Sequence, residues 1–406
     1  MSLPVGQERA FPGSQLEFIA LIAGIMSLGA LAIDAMLPAL EIIATDLALK
    51  DPSQQQYVIL VFFLGLGVTQ IFIGPLSDAF GRRRLLIASL VLYTLCGVAA
   101  AAASSFDMLL VARALQGAAA AGGRILVNAV VRDLYEGRTM ARIISLAQIA
   151  FVTVPIIAPL VGAAILQFSN WRGIFLFIAA LGGVYTLWIA LRLPETQDQA
   201  HRSQAWQSAF KITITDTRLV GFSLAAGLGF VSLVLYLGNV AQIFTRIFER
   251  PEWIAPSFAL VAIPMGLAAY VNSRLVMHFG MGRISLIAAI ALALTCAAMT
   301  AVALFTEVPM AVFLAAQAVI LSSCTVMQGN LIALALERLG AIAGMASSVF
   351  GSVTTLVSVA GAALIGQIMA LQLPVYYAGI AAASVLSLAI ILYLRPKPGA
   401  AKLSET

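Results

Sequence analysis

Three ionisable residues stand inside long apolar stretches of this chain: Asp34, Arg113 and Arg124. An ionisable group at the centre of a membrane-spanning helix costs about 2.5–3.5 kcal/mol on the insertion scale, so one retained there marks an ion or substrate pathway by default. Asp34 is a carboxyl that can take up and release a proton. Burial opposes the charged form of a carboxyl and a neighbouring arginine favours it; a group held between the two influences is suited to exchanging a proton. Asp34 lies four residues before Pro38, whose missing amide frees a carbonyl and bends a helix. With the first span ending near Leu40, Asp34 lies about 9 Å below its outer end and Arg113 about 8 Å below the same surface at 1.5 Å per residue. That depth match predicts a pair, direct or through water.

Arg124 follows Arg113 by eleven residues, within about 20° of three whole helical turns. Arg113, Gly117, Ala121, Arg124 and Asn128 therefore form one stripe. Its small middle leaves room for a substrate or for a close neighbouring helix. The bland alternative is that both arginines are structural, bound to backbone carbonyls or lipid phosphates. The candidates for lining a polar cavity are Arg124, Asn128, Gln116, Asn239 and Gln148, with Asn272, Gln317, Gln328 and Asn330 as weaker members; taken singly, each amide is as easily a helix–helix hydrogen bond.

A second constellation is the run Gly74-Pro75-Leu76-Ser77-Asp78-Ala79-Phe80-Gly81-Arg82-Arg83-Arg84. It puts a helix breaker, a carboxylate and three arginines within one loop. Asp78 can pair with those arginines or with a helix N-terminus, which would lock two helices and release them during a transport cycle. A plain positive anchor would need the arginines but neither Asp78 nor Gly81. A third is Pro155 and Pro159, four apart on one face of the fifth span. They are read either as a static kink or as a tight seal against a helix of the other half that stops proton leak.

The elements that must position these residues follow from composition. The chain has 406 residues, 61% of them apolar and 10% charged, with a mean hydropathy of +1.00. Soluble domains run at about 45–50% apolar and 25% charged, so a soluble enzyme, a disordered chain and a disulfide scaffold are excluded, and lipid must be the solvent for most of the surface. Continuous apolar runs such as 85–103 and 284–304 are helical, not the alternating pattern of a barrel. Twelve spans are predicted at about 17–40, 56–76, 85–104, 108–131, 140–167, 171–192, 218–244, 254–277, 284–304, 309–335, 342–370 and 374–394. The expected fold is thus an all-α membrane protein of two six-helix halves, 1–192 and 218–394, joined by a cytoplasmic loop at 193–217 and followed by a tail at 395–406.

With the N-terminus, the even-to-odd connections and the C-terminus assigned to the cytoplasm, seventeen of the 23 lysines and arginines fall on that side. Only Lys50, Arg172, Arg246 and Arg250 fall on the other, an asymmetry that supports the orientation and explains the basic pI of about 9.3 without nucleic acid. The first fifteen residues carry Glu8 and Arg9 and lack the form of a cleaved signal. Cys96, Cys296 and Cys324 lie in apolar runs without metal or disulfide spacing. A faint repeat relates the halves: Phe80-Gly81 with Arg84 recurs as Phe279-Gly280 with Arg283, and the same offset carries Gly162 to Gly361. Halves so related bind substrate near mid-membrane, between them.

The Gly74–Arg84 run closely resembles the signature loop of the major facilitator superfamily. Arg113, Gln116 and Gly117 resemble a second motif of that family. Pro155, Pro159 and Gly162 resemble the antiporter motif of its drug:proton branch, with Ala163 in place of the usual second glycine. Ala32-Ile33-Asp34-Ala35-Met36-Leu37-Pro38 and Arg132-Asp133-Leu134-Tyr135 are similar to the bicyclomycin/chloramphenicol-resistance (Bcr/CflA) branch, with Met36 where tyrosine is common. The resemblance implies Asp34 as proton site, Arg113 as its electrostatic partner, and Gly74, Asp78, Gly81, Arg82, Arg83 and Arg84 as a cytoplasmic gate. It leaves Arg124 without a role.

No P-loop is present, so energy is expected from the proton gradient, with no cofactor. The expected function is a proton-coupled antiporter of the bacterial inner membrane, not an enzyme, exporting small, largely apolar compounds as a monomer in the lipid bilayer. The alternatives are a proton-coupled transporter of one metabolite (a sugar, nucleoside, amino acid or siderophore), which Arg124 favours, and a non-transporting sensor, against which stands the lack of an appended soluble domain.

Overall fold

The computed structural model describes residues 11–196 and 206–394. Glu8, Arg9, Arg202 and the tail 395–406 lie outside the described residues. Among the described residues there is no strand, and the helices are α1 (Gln15–Asp34), α2 (Leu40–Asp46), α3 (Tyr57–Phe80), α4 (Arg82–Ala101), α5 (Phe106–Leu134), α6 (Gly137–Phe168), α7 (Trp171–Arg192), α8 (Trp206–Thr215), α9 (Thr217–Gln242), α10 (Ile254–Phe279), α11 (Met281–Phe305), α12 (Met310–Leu336), α13 (Ala343–Met369) and α14 (Leu373–Leu394). Twelve stretches of the described residues are long and apolar enough to cross a membrane, each overlapping one predicted span. The first is longer than expected: α1 and α2 together carry it to Asp46. Part of the expected central loop is helical, as the ten-residue α8.

Polar side chains begin the helices. Ser14 accepts from the amide of Glu17, Ser105 from Met108 and Asn170 from Arg172 at 3.0–3.2 Å, satisfying amides that the first turn leaves without partners. The motif run is helical further than its sequence suggests. Gly74 and Pro75 lie inside α3, and the chain turns only at Gly81, with φ +92°.

The described residues form two compact units, Met1–Ser208 with Val234–Ala262, and Ala209–Leu233 with Ile263–Thr406. The units do not follow chain order: unit one includes the end of α9 and the start of α10. Arg246 fixes that segment by gripping Glu41 of α2 with two bonds, Nε to Oε1 at 3.2 Å and Nη2 to Oε2 at 3.0 Å. A Cβ on Gly238 would lie 3.3 Å from Gln56 Cβ.

Within unit one, α3 and α5 approach through paired glycines. A Cβ on Gly117 would sit 1.9 Å from the Phe62 carbonyl oxygen, and one on Gly65 1.9 Å from that of Ala114. Small residues allow such contact where lipid leaves helices no hydrophobic drive to associate. Unit two is held by polar bonds across helices. Asn272 and Asn330 exchange amide hydrogen bonds at 3.4 and 2.9 Å, Gln317 donates to the Tyr376 hydroxyl at 2.7 Å, and Ser387 and Thr354 donate to the carbonyls of Ala225 and Ser223 on α9.

The repeat is present in the backbone of each unit. Gly280 turns with φ +75° as Gly81 does. In unit two, Gly361 of α13 packs on α9, with Val231 Cγ2 2.6 Å from its missing Cβ; in unit one, Gly162 of α6 packs on the end of α1.

We expect Gly117→Val to lower the detergent-extracted melting temperature sharply, since overpacking costs about 1–3 kcal/mol and here meets backbone. Gly266→Ala, where a Cβ meets nothing within 4 Å, should be neutral or stabilising. Equal melting temperatures for the two variants would contradict the glycine-packed crossing.

Candidate functional site

Asp34 ends α1. Pro38 has no amide to offer the Asp34 carbonyl, so the helix stops and a 3₁₀ turn over Leu37–Ala39 leads into α2. The side chain is 4% exposed. Among the described residues its carboxyl makes no ion pair and no hydrogen bond. α6 lies against this break: a Cβ on Gly162 would fall 1.8 Å from the Ala35 carbonyl oxygen. Pro159 and Ala158 are buried on the same face, and Pro155 is half-buried one turn earlier. Gly162 is thus required for α6 to reach the broken end of α1 within unit one.

Arg113 is fully buried in α5. Its Nη1 donates to Gln116 Oε1 at 2.7 Å and its Nε to the Val58 carbonyl at 3.4 Å. The guanidinium carbon lies 4.5 Å from the Phe62 ring centroid and 5.7 Å from that of Phe175, a cation–π cage. Tyr93 is within electrostatic reach and donates from its hydroxyl to the Leu28 carbonyl of α1 at 2.7 Å. Arg113 Nη2 and Gln116 Nε2 are buried without partners.

The direct Asp34–Arg113 pair expected from depth does not form. The depth estimate ended the first span near Leu40, whereas it runs to Asp46, about 18 Å beyond Asp34 by helical rise. Arg113 lies only about 10 Å from the start of α5. Gln116 is likewise no cavity wall: it is fully buried and serves as the partner of Arg113. The stripe below Arg113 is closed at Gly117 by the α3 backbone, so the small residues make room for a helix.

Arg124 is exposed. Among the described residues its guanidinium has no ion pair or hydrogen bond; only its backbone carbonyl is used, accepting from Asn128 Nδ2 at 3.2 Å. Gln148 is exposed on α6, and Asn239 is buried and donates to the Leu235 carbonyl of its own helix.

The basic turn joins four elements of unit one. Arg82 forms an ion pair with Asp133 at the end of α5, and its charge also reaches Asp78. Asp133 Oδ2 accepts from the Thr196 hydroxyl at 3.0 Å. Arg83 Nη2 donates to the Ala190 carbonyl of α7 at 2.7 Å, and Arg84 is exposed. The N-terminus of α4 is occupied by Glu195, which accepts from the amides of Arg82 and Arg83 at 2.9 and 3.3 Å. A Cβ on Gly81 would stand 2.6 Å from Glu195 Oε2, so glycine is needed for the turn and for this carboxylate. A Cβ on Gly74 would meet nothing within 4 Å.

Sequence reasoning did not find Glu195, and it gave Asp133 no task. The available signal was an acid in Leu193-Pro194-Glu195-Thr196, on the side where arginines accumulate. An anion at a helix N-terminus satisfies free amides and the helix dipole together.

A family model described as "Major Facilitator Superfamily" matches residues 19–361. The chain is 27% identical over 348 residues to the "Bicyclomycin resistance protein homolog" of Haemophilus influenzae, covering 84% of this chain and 86% of that one. It is 30% identical over 182 residues to "Multidrug resistance protein D" of Escherichia coli, 45% and 46% of the two chains, and 29% identical over 268 residues to a "Chloramphenicol resistance protein" of Pseudomonas aeruginosa, 62% and 60%. The crystal structure of a D-xylose-proton symporter superposes with a TM-score of 0.73 over 95% of this chain and 99% of that one, at 15% identity. That likeness concerns the fold.

We expect Glu195→Ala to cost about 1 kcal/mol, as loss of an N-terminal cap does, and to raise hydrogen exchange selectively at the Arg82 and Arg83 amides. Unchanged exchange there would remove Glu195 as the cap of α4.

Proposed function

This chain belongs to the Major Facilitator Superfamily and groups with its Bcr/CflA-like drug-efflux branch; from that premise we propose that it exports small, largely apolar compounds in exchange for protons by alternating access. It is a transporter and not an enzyme. The observation that carries the coupling is Asp34, a buried carboxyl without an ionic partner at the broken point of the first span.

The geometry supports a simple cycle. An ionised carboxylate without partners is costly in low dielectric, whereas a protonated one asks only for a hydrogen bond. Proton binding therefore changes which surroundings Asp34 tolerates, and a ligand shifts a conformational equilibrium only through such a difference. The break at Ala35–Ala39 supplies a joint at which α1 and α2 can reorient. Gly162 on the Ala35 carbonyl keeps α6 tight against that joint, where a loose contact would admit water and leak protons.

Arg113 is proposed as a fixed positive charge that biases α1. Its cage is fully buried, and Tyr93 connects its surroundings to the α1 backbone at Leu28. The Asp133–Arg82 ion pair and the Glu195 cap hold α3, α4, α5 and the end of α7 together at the side that the arginine bias assigns to the cytoplasm. They are proposed to release in one phase of the cycle.

In proteoliposomes with an imposed pH gradient, Asp34→Asn should abolish substrate-driven dequenching of a pH dye while keeping substrate binding in detergent. Full proton-coupled efflux by Asp34→Asn would refute the assignment. Arg113→Lys should keep the charge but lose the fork to Gln116 and Val58, and so lower the transport rate more than binding.

A further inference from the structure

We infer that Arg124 binds the anionic head of a transported amphipathic compound, an apolar body bearing a single carboxylate or similar group. The inference rests on the efflux reading above and narrows it to a substrate class.

The position of Arg124 is set by what surrounds α5. Ala120 faces Gly29 of α1, where a Cβ would lie 3.8 Å from it, and Gly123 faces Ile25 of α1. Gly117 faces Phe62 of α3, and Gly122 faces Ser89 of α4. At 100° per residue, Arg124 projects between the α1 and α3 directions and about 160° from the α4 contact. Gly117 and Ala120, its nearest neighbours in helical direction, meet α3 and α1 nearer the start of α5, yet the Arg124 side chain itself is exposed.

Its depth gives that exposure a meaning. Arg124 lies about 15 Å from the Leu134 end of α5 and about 27 Å from the Phe106 end by helical rise. Helical side chains lean toward the N-terminus, so the guanidinium leans away from the nearer aqueous boundary that Arg132 and Asp133 mark, and snorkelling is disfavoured. A cation at such depth faces a water-filled cavity or a partner, not hydrocarbon. No described residue supplies the partner: the guanidinium has no ion pair or hydrogen bond, and the preceding residues on its side of α5 are Gly117, Ala120 and Ala121. Asn128, one turn on, donates one amide hydrogen to the Arg124 carbonyl and brings no negative charge. The local chemistry is five free N–H donors on one full positive charge amid small apolar residues, which suits an anion carried on an apolar body.

The test measures binding and transport separately. Fluorescein serves as the anionic probe and ethidium as the cationic one. Binding of fluorescein to purified protein in dodecyl maltoside is followed by calorimetry, and export of both dyes in everted vesicles. Arg124→Gln should weaken fluorescein binding about tenfold or more, the loss of one charge-assisted contact. Arg124→Lys should restore part of it, and ethidium export should stay unchanged in both variants.

Equal fluorescein affinity in wild type and Arg124→Gln overturns the inference, and so does wild type that exports ethidium but shows no saturable fluorescein binding. Loss of both dyes with a lowered melting temperature, unrescued by lysine, would make Arg124 structural and also overturns it. Arg124-dependent retention of phosphatidylglycerol without fluorescein binding would put a lipid headgroup there instead. Arg124-dependent fluorescein binding without export of either dye would keep the anion site and overturn the efflux reading.

Discussion

At Pro38 the first span loses the amide that would have satisfied the Asp34 carbonyl, in a setting where water is scarce. Backbone interrupted at membrane depth survives only where protein covers it or a cavity wets it. Here α6 provides the cover, and it can come close enough only because residue 162 is glycine, with the Ala35 carbonyl 1.8 Å from where a Cβ would stand. The carboxyl of Asp34 is thus placed at a joint, buried, without an ionic partner. The proposed proton chemistry depends on this arrangement. A continuous helix would have removed the joint, and a larger residue at 162 would have removed its cover.

The remaining charges divide by depth. Near the ends of unit one several are paired and bind helices together. Arg172 donates to Asp46 at 2.8 Å beside the Trp171 indole, Arg192 and Trp188 both donate to Glu17, and Arg82 meets Asp133. Such pairs are weak individually in water, and their use here is to fix which helix end lies beside which. Deeper in the span the two arginines have no carboxylate partner among the described residues. Arg113 is enclosed by aromatic rings and an amide, whereas Arg124 is exposed and its guanidinium has no partner among the described residues. One is built into the protein and the other is presented outward, though they lie on one helical stripe.

The repeat has unequal contents. Gly81 and Gly280 take the same positive-φ turn, but Glu195 crowds the first, while a Cβ on the second would meet nothing within 4 Å. Carboxylates therefore pin the basic turn of unit one, and the backbone of unit two repeats the shape with no such grip among the described residues. The glycine contacts onto α1 and α9 are shared, so the helix packing is repeated where the charge network is not.

Hydropathy is a local property, and the twelve spans, the two basic turns and the membrane-embedded Asp34, Arg113 and Arg124 could all be read from the chain, since each depends on a short window of side chains against lipid. The Gly74–Arg84, Arg113–Gly117 and Pro155–Gly162 runs already pointed to the superfamily that the family match bears out. Partner choice was another matter. Whether Asp34 meets Arg113, whether Gln116 faces a cavity or an arginine, and which acid caps α4 all depend on where separate helices stop and how closely they approach. The extension of the first span past Pro38 moved Asp34 away from the depth assumed for it. Glu195 reached α4 from a segment more than a hundred residues later in the chain. Such contacts are set by glycine-to-carbonyl packing between helices, a relation that no single window of sequence contains, and only the tertiary structure decided them.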